Sequence, residues 1–180
     1  YALCIYKEER LNVKPAAISA WFCPDVAVAE KTLEILKTAK IKSDILTALT
    51  PAGERTRILS NHKNGLIEAV VSVGVLVEGW DNPNCNIIVH LRPTLSKVLW
   101  GQSVGRGLRC AKDKSKCIII DVSSNWSTFG PVEDLKWDLW SHRRSFIKFQ
   151  NRFNWIATQF DEAENKSSFF ICEGKDKKGL

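Results

Sequence analysis

The chain has 180 residues, which is the size of one ordinary α/β domain or of two very small ones. Its 44% hydrophobic and 26% charged residues are close to the globular average, and no apolar run approaches the roughly 20 residues of a membrane-spanning helix. This composition argues against a disordered chain and against a membrane protein, while the formal net charge of +6 suits a polyanionic partner.

Short apolar runs alternate with helical stretches over the first two thirds of the chain. Strands are predicted at 16–22, 43–47, 69–73, 86–91 and 116–121. Between them, helices are predicted from Pro24–Asp25 onward, at 53–63 with Ile58 facing the core, and at 96–108 with Ser96 as the N-cap. In the first of these helices, the residues expected to face inward are Val28, Leu33, Leu36 and Ala39.

This alternation indicates βαβ units, and therefore a three-layer α/β domain with a mostly parallel sheet. The carboxyl ends of parallel strands meet at one edge of the sheet, where ligands collect. We expect the polar segments that follow the five predicted strands to form that edge, and we expect function to be located there.

The character of the sequence changes from about Ser123. Phenylalanines at helical spacing predict an amphipathic helix from Arg144 to Glu164, and the run Ser168–Cys172 predicts a last strand. We therefore expect two parts, an α/β domain at 1–125 and an aromatic-rich, mainly helical extension at 126–180.

Cysteine and histidine show none of the spacings typical of metal sites or disulfide frameworks. The six cysteines include no C-x-x-C pair, and several lie in apolar runs where a reduced thiol acts as a small hydrophobe. We therefore expect no metal site, solvated or satisfied side chains at His62, His90 and His142, and a reducing, cytoplasmic location. The chain also lacks methionine, and we expect it to be part of a longer protein.

The segment Gln102–Arg109 contains two arginines, Arg106 and Arg109, three residues apart on a predicted helical turn. Their guanidinium groups should point the same way, and two converging planar forks suit a multiply charged oxyanion such as phosphate. Gly105, just before the first arginine, should let a backbone or a ligand come close. A pair of solvated surface arginines is the alternative at this point.

An irregular loop with two glycines, a glutamate, an aspartate and a proline follows the third predicted strand, over residues 72–83. Such a loop can offer backbone N–H groups to a phosphate and a carboxylate to a sugar hydroxyl. The alternative is a plain connection in which the glycines only permit turns.

These segments together resemble motifs V and VI of superfamily 2 helicases, in order and at the usual spacing. The resemblance rests on Glu78–Pro83, Leu91–Ser96 and Gln102-x-x-Gly105-Arg106-x-x-Arg109, with Ala17–Cys23 similar to the motif IV strand and Thr50–Arg55 to the segment after the next strand. It covers residues 14–125 and implies the second RecA-like domain of such a motor.

The resemblance implies a role for each matching position. Arg106 and Arg109 would be catalytic arginine fingers at the γ-phosphate of ATP, where such charge contributes about 10³–10⁵ in rate in related systems. The positions implied to bind nucleotide are Gly79, Asp81, Gln102 and Gly105. Those implied to face the nucleic-acid backbone, with hydroxyls and backbone amides, are Cys23, Thr47 and Ser72.

Two positions depart from the DEAD-box form of the family, which has threonine where Val73 stands and histidine where Gln102 stands. Both departures argue against a DEAD-box RNA helicase. They favour the branch of DNA translocases, repair and restriction motors and phage helicases, so DNA is expected as the nucleic-acid partner more than RNA.

No G-x-x-x-x-G-K-[ST] loop occurs in the chain, so we expect ATP with Mg²⁺ to be bound mainly by a separate N-terminal RecA-like domain. The expected function is the C-terminal motor domain of an ATP-dependent helicase or translocase, with little ATPase activity in this chain alone. The alternatives are the motor of a restriction-type enzyme, a non-hydrolysing nucleic-acid-binding module and a protein-interaction domain.

Overall fold

The computed structural model describes residues 1–13, 16–76 and 80–130, together with strands at 156–159 and 168–173. Seven strands form one sheet: β1 Ser19–Phe22, β2 Ser43–Leu46, β3 Ala69–Ser72, β4 Ile87–His90, β5 Lys116–Asp121, β6 Ile156–Gln159 and β7 Ser168–Glu173. Their order across the sheet is β2-β3-β1-β4-β5-β7-β6. Strands β1 to β5 are mutually parallel, which confirms the mostly parallel sheet that the sequence predicts.

Among the described residues, five helices lie around the sheet: α1 Ala2–Glu9, α2 Val26–Thr38, α3 Ala52–Lys63, α4 Lys97–Gly107 and α5 Asn125–Phe129. Two of them begin at residues that cap free backbone N–H groups. The Asp25 carboxylate accepts a hydrogen bond from Val28 N at 2.8 Å, and the Ser96 hydroxyl accepts one from Leu99 N at 3.3 Å. The predicted start of α4 at its Ser96 cap is confirmed.

Both faces of the parallel sheet are covered by helices, so the domain has three layers. On one face Phe22 and Val70 pack with Ile58 of α3 and Trp100 of α4. On the other face the alternating neighbours on the strands pack with α1 and α2 in a second buried cluster, which includes Tyr6 and Leu36. Each fully buried large apolar side chain contributes about 1.5–3 kcal/mol of transfer free energy, so these clusters fix the orientation of the helices.

The five parallel strands end in one straight row. Phe22 is in register with Ser72 and His90, Leu46 is in register with Ser72, and His90 is in register with Asp121. The segments that follow these residues therefore leave the sheet at the same edge, as the sequence predicts. We call this edge, formed by the segments after Phe22, Leu46, Ser72, His90 and Asp121, the carboxyl edge.

Two expectations from the sequence are wrong in part. The buried face of α2 is formed by Ala29, Thr32 and Leu36, while Val28, which was expected inside, is 37% exposed. Residues 156–159 form strand β6 where a helix from 144 to 164 was predicted. β7 pairs antiparallel with β5 on one side and with β6 on the other. Residues 156–159 thus gain a strand partner, and β-branched residues favour a strand over a helix in such a position.

The other residues of the predicted C-terminal helix lie outside the described residues. The last strand is confirmed as β7. Within the part of the chain that the structure describes, no helix is long and apolar enough to cross a membrane.

Candidate functional site

The two arginines of the Gln102–Arg109 segment converge on a single acceptor. Arg106 lies in the last turn of α4, and its Nη1 donates to the carbonyl oxygen of Trp80 at 2.7 Å. Arg109 Nη1 donates to the same oxygen at 3.1 Å and forms an ion pair with the Asp81 carboxylate. The predicted convergence is therefore present, and the acceptors belong to the loop that the sequence pairs with these arginines.

The acceptor loop is held in place by a buried polar network beneath it. Trp80 is 4% exposed, and its ring lies 5.7 Å from that of His62. Asn82 Nδ2 donates to His62 Nδ1 at 3.2 Å, and His62 Nε2 lies 3.1 Å from the carbonyl oxygen of Ser19. A neutral imidazole protonated at Nε2 satisfies both contacts. The loop position is thus fixed from α3 and β1.

Lys114 connects this loop to the end of α4. Its ammonium Nζ donates to the carbonyl oxygens of Gly107, of Arg109 at 2.8 Å and of Pro83 at 3.1 Å. Cations near a helix C-terminus satisfy carbonyls that lack an intrahelical partner. Burial lowers the pKa of this lysine. The sequence does not single out Lys114, because one lysine in a charged segment has no distinguishing pattern.

The two glycines beside Arg106 have different surroundings. A side chain at Gly107 would place its Cβ 2.5 Å from Cys117 Sγ and 2.6 Å from Ile88 Cγ1, so this glycine lets α4 lie directly on β4 and β5. At Gly105, no described atom lies within 4 Å of the equivalent position. Within the described residues, the close packing of this helix on the sheet is made at Gly107, and the predicted approach of a ligand or a backbone to Gly105 stays a prediction.

The remaining nucleotide positions lie on the surface or outside the described residues. Gln102 is exposed on α4. The Asp81 side chain is 68% exposed, beside an open groove of about 320 Å³ that Thr56, Ser60 and Lys63 of α3 also line. Gly79 lies outside the described residues.

The positions expected to face nucleic acid are less accessible than the sequence suggests. Cys23 and Ser72 are buried, and Ser72 Oγ accepts a hydrogen bond from Leu76 N at 3.3 Å. Burial raises the pKa of the Cys23 thiol to about 11. Thr47 is half-buried at the end of β2, and its Oγ accepts from Leu49 N at 3.2 Å. Burial leaves the side chains of Cys23 and Ser72 little exposed surface, and the expectation that this row of residues faces nucleic acid stays a prediction.

His90 ends β4 beneath the carboxyl edge, inside an aromatic stack. Its ring lies 5.0 Å from that of Phe22, nearly parallel to it, and 5.0 Å from that of Trp100 on α4. It is 4% exposed, and neither ring nitrogen has a hydrogen-bond partner among the described residues. His62 is thus hydrogen-bonded at both ring nitrogens, as the sequence predicts for a buried histidine. His90 is buried without such hydrogen bonds among the described residues.

The two buried histidines predict a loss of stability at low pH. Burial lowers the pKa of His62 to about 4 and that of His90 to about 3. Below about pH 6.5 the unfolded chain therefore binds protons at these two residues that the folded protein does not bind. Their contribution is complete above pH 6.5 and is lost as the pH falls towards the folded values. We expect the free energy of unfolding to decrease by about 1.4 kcal/mol per pH unit for each histidine over that window.

Urea unfolding at pH 7, 6 and 5 measures this dependence. His90→Phe, which keeps a ring between Phe22 and Trp100, should remove one histidine's share of the slope. His62→Gln should remove the other share. If the free energy of unfolding depends on pH as steeply in both variants as in the original chain, these two residues are not the cause of the pH dependence.

Comparison with known proteins finds one family and several relatives. The pattern described as "Helicase conserved C-terminal domain" matches residues 7–111, more than half of the chain. The chain is 34% identical over 117 residues to the "Putative ATP-dependent helicase IRC3" of Saccharomyces cerevisiae, covering 65% of this chain and 16% of that protein. It is 30% identical over 125 residues to "Putative helicase 22" of a Sulfolobus islandicus filamentous virus, covering 69% and 22%. The chain thus spans less than a quarter of the length of these two relatives.

Solved structures share the fold. The chain is similar to the E. coli DEAD-box protein SrmB with a TM-score of 0.57 at 17% identity, covering 73% of this chain and 75% of that chain. It is similar to the Pyrococcus furiosus Hef helicase domain with a TM-score of 0.50 at 21% identity, covering 67% and 24%. At such identities the likeness concerns the fold alone, and it confirms the α/β architecture that the sequence predicts.

Proposed function

This chain belongs to the family of helicase conserved C-terminal domains and is the second RecA-like domain of a superfamily 2 helicase, and from that premise we propose that it is one lobe of an ATP-driven motor on nucleic acid. A separate N-terminal RecA-like lobe would supply the loop that cradles the phosphates. The nucleotide lies between the two lobes, and their opening and closing drives movement along the strand.

The observation that supports the nucleotide role most strongly is the convergence of Arg106 and Arg109 beside Asp81. Both guanidinium groups are partly exposed, and they are held by a carbonyl oxygen and by a carboxylate that is itself mostly exposed. The γ-phosphate is a more strongly charged acceptor than a carbonyl oxygen, so the arginines would turn from Trp80 towards it. This arrangement supports a triphosphate as the proposed ligand.

The neighbouring residues have roles that follow from the same placement. Asp81 would accept a hydrogen bond from the ribose, Gly79 would lie on the same side of the nucleotide, and Gln102 would contact it from the exposed face of α4. The open surface at Gly105 would admit the opposite lobe. ATP would supply the phosphoryl group that is transferred to water. Because this chain has no G-x-x-x-x-G-K-[ST] loop, ATP with Mg²⁺ would be bound mainly by the other lobe.

The nucleic acid would lie across the carboxyl edge. Thr47 and the backbone near Cys23 and Ser72 would contact phosphates there, which positions a strand without reading its sequence. DNA is proposed rather than RNA because Val73 and Gln102 depart from the DEAD-box form.

The test uses the full-length protein that contains this chain. We expect ATP hydrolysis that single-stranded oligonucleotide stimulates, and binding of that oligonucleotide that weakens steeply with salt. Hydrolysis would be followed by phosphate release with and without the oligonucleotide. A full-length protein that neither hydrolyses ATP nor binds the oligonucleotide would refute the proposal.

A further inference from the structure

A small pocket opens at the carboxyl edge between the ends of β1, β3 and β4. Cys23 and Gly74 line one side, and His90, Arg92 and Thr94 line the other. Because the side chains of Cys23 and Ser72 are buried, they provide no charge at the mouth of this pocket. The cation there is Arg92, two residues after the end of β4.

Arg92 differs from the other arginines of the described ranges in its hydrogen bonding. Each of the others donates to a described acceptor: Arg10 to Glu68, Arg55 to the Thr47 carbonyl, Arg57 to Glu54 and Asp44, Arg106 to the Trp80 carbonyl, and Arg109 to Trp80 and Asp81. Within those ranges, no hydrogen bond or ion pair engages the guanidinium group of Arg92, although the residue is half-buried. A half-buried guanidinium group whose donors are free favours an anionic ligand.

The main chain at Arg92 is held by hydrogen bonds. Its carbonyl oxygen accepts hydrogen bonds from Asn125 Nδ2 at 2.9 Å and from Ser123 Oγ at 3.1 Å, and Pro93 follows. Asn125 Oδ1 in turn accepts from Thr94 N at 2.9 Å. Because these hydrogen bonds already hold the loop, binding a ligand there should cost little conformational entropy.

Gly74 leaves the opposite side of the pocket open. Its φ of +72° favours glycine, and no described atom lies within 4 Å of the position where a Cβ would stand. A sugar–phosphate chain can therefore pass close to the backbone at Gly74 while one of its phosphates meets Arg92. Bare backbone beside a single cation is typical of phosphate contacts that do not read sequence.

We infer that Arg92 binds a phosphodiester of the nucleic-acid strand at the mouth of this pocket, opposite Gly74. The inference rests on the proposed function, because it places the strand of that motor. It assigns to Arg92 the charged contact that the sequence did not locate. The ligand class is the backbone of a single strand, independent of base sequence.

Anisotropy of a labelled oligo(dT) titrated with the full-length protein across a range of KCl tests this. Each phosphate contact contributes about 0.7 to the slope of log K against log salt for single strands, so Arg92→Gln should lower the slope by about that amount and weaken binding roughly ten-fold at low salt. Arg92→Lys should keep the slope, since it keeps the charge, and lose part of the affinity. The matched control is Arg57→Gln, whose guanidinium group is engaged by Glu54 and Asp44 on α3 and β2 and which should bind like the original protein.

Thermal melting separates a folding defect from a binding defect, because Arg92→Gln should have the same melting temperature as the original protein. An unchanged salt slope in Arg92→Gln would overturn the inference. So would a loss confined to an ATP analogue, which would assign the phosphate to the nucleotide rather than to the strand. If the original protein binds no oligonucleotide, the proposed function itself fails. If the original protein binds but Arg92→Gln keeps its salt slope, only the inference about Arg92 fails.

Discussion

Replacing Arg106 or Arg109 by alanine in the full-length protein should reduce nucleic-acid-stimulated ATP turnover by about 10³–10⁵, the range over which arginine fingers act. The reason is geometric, because both Nη1 atoms already lie within 3.1 Å of one acceptor beside Asp81. The two groups should therefore reach one phosphate together. Steady-state phosphate release with saturating oligonucleotide measures the effect.

The double variant distinguishes cooperation from independent action. If both guanidinium groups stabilise the same transition state, the double variant should be little worse than either single variant, since residues that act as a unit are not additive. Lysine at either position should restore only part of the rate, because it lacks the planar fork. The Arg57→Ala control should turn over normally. Normal turnover in the Arg106 and Arg109 variants, with the fold intact, would remove both from the catalytic role.

Gly107→Ala should strongly destabilise the domain, whereas Gly105→Ala should not. The new methyl group at 107 would lie 2.5 Å from Cys117 Sγ and 2.6 Å from Ile88 Cγ1, and both neighbours are buried on the sheet. Overpacking of this kind costs about 1–3 kcal/mol and occasionally more, and we expect the upper end because two buried atoms are met at once. At Gly105 the space is open, and alanine in a helix should add about 0.5–1 kcal/mol to the free energy of unfolding.

Urea unfolding of the two glycine variants measures this difference directly. Removing the sulfur with Cys117→Ala should return part of the stability lost in Gly107→Ala, since one of the two contacts disappears. Equal stability of the two glycine variants would show that α4 does not need the close approach to β4 and β5. Gly105→Ala also tests function, because a stable protein with lowered ATP turnover would place that surface against the nucleotide or the opposite lobe.

The sheet could be predicted because its signals are local. The run Lys116–Asp121 is apolar almost throughout, as a strand covered on both faces must be, and the structure gives it the predicted bounds. The convergence of Arg106 and Arg109 could also be predicted, because helical spacing puts residues three apart on one side. At the C-terminus the same reasoning was wrong for 156–159, since pairing with β7 is a long-range contact that periodicity does not contain.

The parts of the site that were missed depend on helix phase and on tertiary contacts. His62 lies four residues after Ile58, so the helical period could have placed it inside, but its partners Asn82 and Ser19 come from other segments. Gly107 follows the buried residues Trp100 and Val104 at helical spacing, and this signal could have separated it from Gly105.

Lys114 ties the arginine segment to the loop that precedes it, and this matters for the proposed motor. A single ammonium group joins two main-chain oxygens at the end of the arginine segment, those of Gly107 and Arg109, to the carbonyl oxygen of Pro83 in the preceding loop. Moving the loop without the helix end, or the helix end without the loop, would break hydrogen bonds of this half-buried ammonium group. A small displacement of one should therefore carry the other with it. If the proposed motor closes around ATP, the loop and the helix end would therefore move together and bring both arginines to the nucleotide at once.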